Sequence, residues 1–256
     1  MTDPESFAGT IAERRRNRER FTLEAPEGRS GDLAFGYATQ DALLPRLGGA
    51  VVGWKIGLTT PRMQQMCGVD EPIVGAILAG RIAAAPARVA VADHVRLGIE
   101  SEIALRIARP FEEADVMADR ALAHVDAVCA AFELVDDAGA DYARLAAVTL
   151  VADNAWNAGL VTGPERPAAR FGSLAGRRGV LFRDGAVVDE GSSSDVLGDP
   201  ASALAWLVGH LAARGRSLTP GQWVSTGSIV PTKFVAAGQA WRFEVDGLPP
   251  VELTLA

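Results

Sequence analysis

The chain has 256 residues, 48% of them hydrophobic, which is enough for one sizeable domain or for a small N-terminal part joined to a larger one. Its net charge is −7, and its one basic cluster, Arg14 to Arg20, is diluted by Glu13, Glu19 and Glu24, which excludes the concentrated positive field that nucleic acid demands. No apolar run reaches membrane-spanning length, the first six residues lack a secretory pattern, and Cys67 and Cys129 form no C-x-x-C pair, so a reduced, cytoplasmic protein with no membrane partner is expected.

Residues 5 to about 20 read as a charged surface helix. Gly28 to Asp32 is a loop ending in a helix start, and Leu33 to Leu47 carries helical periodicity. Val51 to Leu58 reads as a strand with a lone lysine, Lys55, between Trp54 and Ile56, flanked by Gly53 and Gly57. An ordinary edge lysine fits this pattern. The glycines also let other groups approach closely, and an apolar setting lowers a lysine pKa toward the catalytic range.

Strand-like and helix-like runs alternate between about 75 and 165. In Val95 to Ile107 the apolar residues Val95, Leu97, Ile99, Ile103, Leu105 and Ile107 share one parity and form one face of a strand. Glu100 and Glu102 then project together from the other face, their Cα atoms about 6.5–7 Å apart. Such a pair repels unless a cation sits between its members, and an oxygen-preferring divalent ion suits it. A solvated face shared with Arg96 and Arg106 gives the same alternation. Glu133 follows a run (Leu122, Val125, Val128, Cys129, Phe132) whose spacing predicts a helix, with Cys129 a buried free thiol. A carboxylate in so apolar a segment is costly to bury unless paired or metal-bound, and an exposed strand position or an arginine partner would also relieve it. Glu100, Glu102 and Glu133 are therefore a candidate metal site.

From Gly179 the chain turns mainly to strand. Asp184-Gly185 predicts a hairpin within Val180 to Val188, Asp199-Pro200 a helix start, and Gly215 its end. Gln222 to Leu255 reads as several strands with a turn at Asp246-Gly247, and this order predicts a mixed α+β sheet. There is no G-x-S-x-G elbow, phosphate loop or dinucleotide fingerprint, and His94, His124 and His210 lack zinc-ligand spacing, so carboxylates and a lysine must carry any chemistry.

Several blocks occur in a telling order: G-W-K-I-G-L-T-T from Gly53 to Thr60, Gln64, G-V-D-E-P from Gly68 to Pro72, Gly75, I-E-S-E-I-A from Ile99 to Ala104, and F-E-L-V from Phe132 to Val135. V-A-D-N-A from Val151 to Ala155, V-L-G-D-P from Val196 to Pro200, A-L-A-W-L from Ala203 to Leu207 and S-T-G-S from Ser225 to Ser228 continue it. Across about residues 33 to 255 the set resembles the 2-hydroxypentadienoate hydratases and 4-oxalocrotonate decarboxylases of the fumarylacetoacetate hydrolase superfamily. The resemblance implies an α+β fold in which a mixed β-sheet rolls into an incomplete barrel (the catalytic domain, residues 51–256), with a smaller helical N-terminal portion (residues 1–50). It implies Mg²⁺ or Mn²⁺ on Glu100, Glu102 and Glu133, Lys55 as the catalytic and substrate-binding lysine, and Asp153, Thr226 and Ser228 lining the substrate pocket. It also implies a homo-oligomer acting on a small 2-oxo acid. The implied reaction is hydration of 2-hydroxy-2,4-dienoates in aromatic catabolism, with decarboxylation, acylpyruvate C–C hydrolysis and non-catalytic oxo-acid binding as alternatives. Three places depart from the family pattern: Ile73 stands where hydratases usually carry an acid, Asp199 where histidine is common, and Trp156-Asn157 where residues are smaller.

Overall fold

A computed structural model describes residues 2–111 and 118–256. The elements run α1 (Pro4–Arg16), α2 (Leu33–Leu47), β1 (Val51–Gly57), α3 (Pro61–Cys67), β2 (Ile73–Leu78), β3 (Ile82–Ala84), β4 (Ala87–Val89), β5 (Leu97–Ile107), α4 (Ala118–Ala121), β6 (Val125–Asp136), α5 (Ala147–Ala152), β7 (Asn157–Thr162), β8 (Arg166–Pro167), β9 (Arg178–Arg183), β10 (Ala186–Ser192), α6 (Pro200–Ala213), β11 (Trp223–Phe234), β12 (Ala240–Val245) and β13 (Val251–Leu255). One sheet has the order β2-β1-β11-β5-β6-β7-β3, with β8 also on β6, and the second has the order β10-β9-β12-β13-β4. The β1–β11, β3–β7 and β4–β13 pairs are parallel and the others antiparallel. These mixed sheets curl into the incomplete barrel. Their inner faces share one core, in which Phe132 of β6 meets Phe243 of β12 at 6.3 Å between ring centroids.

Proline at the first turn and the Asp3 side chain, which accepts from the Ser6 amide, start α1. It is more than a charged surface helix. Phe7, Ala8, Ile11 and Ala12 are buried against Phe35 and Leu43 of α2 and Val148 and Ala152 of α5. The hairpin between β9 and β10 turns at Asp184 and Gly185, both left-handed, as the Asp-Gly pair requires. Asp199 caps α6 by accepting the Ala201 amide, and it also accepts from the Ser173 hydroxyl at 2.6 Å. That pair of bonds explains an aspartate at this position. Ser193–Ala213, which contains α6, is long and apolar enough to cross a membrane by length and composition alone. Half of it is buried inside the protein, as suits a core helix.

Two strand assignments decide where the site lies. β5 is buried on both faces between β11 and β6, so Glu100 and Glu102 do not lie on a solvated charged surface. β6 corrects the expected helix: only Leu122–His124 is helical, as one 3-10 turn, and Val125–Asp136 is a strand paired with β5 and β7. A strand buried on both faces has no period of two, so its apolar run satisfies helical spacing equally well. Cys129 is a buried free thiol, as expected, but on this strand, and burial pushes its pKa up to about 12.

Candidate functional site

Strand register gathers the predicted residues. Glu100 of β5 lies directly opposite Glu133 of β6, and Glu102 follows two residues later on the same face of β5. The three carboxylates each present an oxygen within 4.8 Å of the others. Lys55 of β1 pairs with Ser225 of β11, which itself pairs with β5. Its Nζ stands 3.1 Å from Glu133 Oε1 and 3.9 Å from Glu100 Oε2. Glu102 and Glu133 are fully buried, whereas the Glu100 side chain is 21% exposed and marks the side open to water.

One oxygen of each carboxylate is anchored. Glu102 Oε2 accepts from the Ser225 hydroxyl at 2.6 Å and the Gly227 amide at 2.8 Å. Glu133 Oε1 accepts from the Asn157 amide at 3.0 Å, and Glu100 Oε1 from the Thr232 hydroxyl at 2.7 Å. Register shifts in β11 around Ser225–Ser228 make a bulge that aims the Gly227 amide at Glu102. Only glycine fits there: its φ is +122°, and a Cβ would stand 2.5 Å from Thr59 Cγ2. Of the three remaining oxygens, Glu102 Oε1 and Glu133 Oε2 are buried with no hydrogen-bond partner. Buried orphan acceptors are costly, and one hard divalent ion would satisfy both. The donor set therefore fits Mg²⁺ and its relatives.

The charges tell the same story. Burial, then the nearby Glu100, pushes Glu102 up to about 7. Burial also drives Glu133 well above the ordinary carboxylate value, against the pull of Lys55. The expectation of a lowered Lys55 pKa is corrected. Burial does act to lower it, but Glu133, Glu100 and Glu102 together outweigh burial and hold the ammonium well above its usual value. One lysine faces three carboxylates, and the imbalance has a measurable consequence. Between the ordinary 4.5 and about 7, folded metal-free protein keeps a proton on Glu102 that the unfolded chain has lost. Its stability therefore falls as pH rises through that window, while Lys55 stays charged in both states. The melting temperature of chelator-treated protein should drop between pH 5 and pH 7.5, and saturating Mg²⁺ should flatten or reverse the slope. A rise across this window in chelator would contradict the picture of mutually repelling buried carboxylates.

The other predicted residues spend their hydrogen bonds on backbone groups or on arginine. The Thr226 hydroxyl donates to the Ile103 carbonyl, and the Ser228 hydroxyl donates to the Val230 carbonyl and accepts from the Ser101 amide. Both flank Gly227, so the bulge itself borders the carboxylates. Asp153 is buried and held by Arg15 of α1. It borders a cavity of about 420 Å³ under α1, whose lining includes Arg15, Arg18, Arg20, Asp136 and Asn157. Ile73 is fully buried beside the lysine: its Cγ1 and Lys55 Nζ lie 3.3 and 3.5 Å from one point, where a Cβ on Gly57 would sit. Sequence reasoning missed Thr232, Ser225 as a hydrogen-bond donor, and Asn157 as the partner of Glu133. Only the S-T-G-S block and the unusual Trp156-Asn157 pair hinted at them.

A half-barrel that turns three carboxylates and a lysine toward one point has the architecture of an enzyme. A sequence model described as fumarylacetoacetate (FAA) hydrolase C-terminal matches residues 70–256, and the chain belongs to this family. A 2-keto-4-pentenoate hydratase of Burkholderia vietnamiensis (strain G4 / LMG 22486) is 35% identical over 228 residues, covering 88% of this chain and 86% of the relative. A 4-oxalocrotonate decarboxylase of Pseudomonas sp. (strain CF600) is 29% identical over 201 residues, covering 78% and 76%. Among solved structures, the 4-oxalocrotonate decarboxylase from Pseudomonas putida G7, complexed with magnesium and adipate, superimposes with a TM-score of 0.88 at 25% identity, covering 99% of this chain and 97% of that one.

Proposed function

We propose that the protein is a divalent-metal-dependent hydratase that adds water to 2-hydroxy-2,4-dienoates, giving 4-hydroxy-2-oxo acids in the breakdown of aromatic compounds. The observation that carries the metal requirement is the pair of buried orphan oxygens, Glu102 Oε1 and Glu133 Oε2, beside Lys55. The substrate class rests on relatives named as 2-keto-4-pentenoate and 2-hydroxyhexa-2,4-dienoate hydratases. Glu100, Glu102 and Glu133 would hold Mg²⁺ or Mn²⁺, which when bound supplies charge stabilisation for the substrate's developing oxyanion. Lys55 binds the substrate and carries the proton that Nζ delivers to carbon as the dienol ketonises. Water, admitted on the exposed Glu100 side, then adds to the conjugated alkene at C4. The Thr226–Ser228 bulge and Asp153 wall the substrate space. In this reading residues 51–256 are the catalytic domain, residues 1–50 its helical N-terminal portion, and the protein works in the cytoplasm as a homo-oligomer.

A second reading, decarboxylation of a 4-oxalocrotonate-type acid, is favoured by Ile73. It puts an aliphatic side chain beside Lys55 in place of a further carboxylate that could activate water. Incubation of metal-loaded protein with freshly generated dienol separates the two. Loss of dienol absorbance without CO₂ supports hydration, and stoichiometric CO₂ from the corresponding diacid replaces it with decarboxylation. Inertness toward both compounds would overturn both readings.

A further inference from the structure

We infer that Arg15, on the N-terminal helix α1, is a positioning residue for the metal ligand Glu133; the inference rests on the metal reading above. The link is the turn between α5 and β7. Asn154, Ala155 and Trp156 are three successive non-glycine residues in the left-handed region, with φ of +52°, +46° and +57°. Such backbone is strained and persists only where its surroundings over-determine it.

Three sets of contacts fix this turn. The Asn154 carboxamide spans both backbone groups of Ala76 on β2, accepting from its amide at 2.7 Å and donating to its carbonyl at 2.9 Å. Gly75 next to it faces Lys55 across the strand pair, and a Cβ there would come 2.8 Å from the Asn154 carbonyl and 3.1 Å from Lys55 Cγ. Trp156 is packed edge-on by Phe21 at 5.2 Å and Tyr142 at 5.8 Å. Arg15 takes hold of the residue entering the turn at two places. Its Nε donates to the Asp153 carboxylate, and its Nη2 donates to the Asp153 carbonyl at 2.7 Å. The residue leaving the turn is Asn157, whose side-chain amide donates to Glu133 Oε1.

The geometry thus runs from Arg15 through Asp153 and a rigid left-handed turn to Asn157. That amide shares Oε1 of Glu133 with Lys55 Nζ, and the other oxygen, Oε2, is buried without a partner. Asp153, Asn154 and Asn157 are all buried, so loss of the guanidinium leaves a buried carboxylate without its cation. The Arg15 guanidinium bonds to Asp153 and to none of the three carboxylates. Its effect is the orientation of a ligand, the kind of outer contact whose loss typically weakens metal binding about 10–100-fold.

Calorimetric titration of Mg²⁺ and Mn²⁺ into metal-free full-length protein tests this, with melting temperature recorded for each variant. Arg15→Ala and Asn157→Ala should each weaken binding about 10–100-fold. The double variant should be no weaker than the poorer single one, because both act through one contact. Arg15→Lys should recover part of the loss. Arg46→Ala removes a different α1 ion pair, that with Glu5, and should bind metal like wild type even if it melts earlier. Wild-type affinity in Arg15→Ala, equal losses in Arg15→Ala and Arg46→Ala, or additive losses with Asn157→Ala would each overturn the positioning role. Wild-type protein that binds neither ion would instead remove the metal reading beneath it.

Discussion

Glu102→Gln is expected to lose divalent-ion binding and turnover together while the metal-free protein becomes more stable. The opposite signs follow from one residue's surroundings. A carboxamide oxygen can accept the Ser225 hydroxyl and Gly227 amide bonds that now fix Oε2, so the side chain keeps its place. Its nitrogen replaces Oε1, turning a buried acceptor without a partner into a donor that faces two carboxylates. One of three mutually repelling charges disappears, and with it a ligand. Removing a principal source of electrostatic stabilisation costs about 10²–10³ in turnover or more. Relief of about 1 kcal/mol of repulsion would raise the melting temperature by about 2–4 °C. Added Mg²⁺ should then no longer raise it further, since an ion stabilises only the state that binds it. A variant that melts lower than wild type in chelator, or that keeps wild-type Mg²⁺ affinity, would show that Glu102 is not a repelling ligand.

Lys55→Met should separate catalysis from metal binding. Methionine fills the space of the lysine stem beside Gly75 and Ile73 but carries no proton, so turnover should fall about 10²–10⁴-fold, the usual contribution of a positioned acid or base. Divalent-ion affinity should stay level or tighten. The ammonium stands 3.1 Å from Glu133 Oε1 and competes for the same negative field that an ion would use. In chelator the variant should melt earlier, because no other lysine or arginine among the described residues lies within ion-pair distance of these carboxylates. Parallel titration and rate measurements on one preparation would decide. If metal affinity collapses together with turnover, the lysine is needed to build the site rather than to move a proton.

Much of this site is legible in the sequence because strand parity is a local property. Glu100 and Glu102 share a face whatever lies around them, and Asp184-Gly185 and Asp199-Pro200 mark their turn and cap by backbone chemistry alone. Glu133 shows where local reasoning stops. Its strand is buried on both faces, so no alternation distinguishes it from a helix, and only pairing with β5 sets it opposite Glu100. The Lys55 pKa runs against its sequence neighbours for a related reason. Its apolar neighbours in sequence suggest a lowered value, but the carboxylates that raise it come from β5 and β6. Thr232, Ser225 and Asn157 escaped because a hydroxyl or amide has no pattern until the acceptor it reaches is known. Arg15 escaped because its cluster looks solvated from the sequence, whereas one member turns inward to a buried aspartate.

The parallel pairing of β1 with β11 brings residues near the start of the barrel against residues near the end of the chain. Ser225 and Glu102 are 123 residues apart in sequence, and Arg15 and Asp153 are 138 apart. Contacts that close such long loops are entropically late in folding. A chain still emerging from the ribosome, with β11 not yet made, has its glutamates but not the strand that carries Ser225, Gly227 and Thr232. The ion cage is therefore completed by the same step that joins β1 to β5, the entry of β11 between them, so the repulsion it concentrates is met only as the sheet closes.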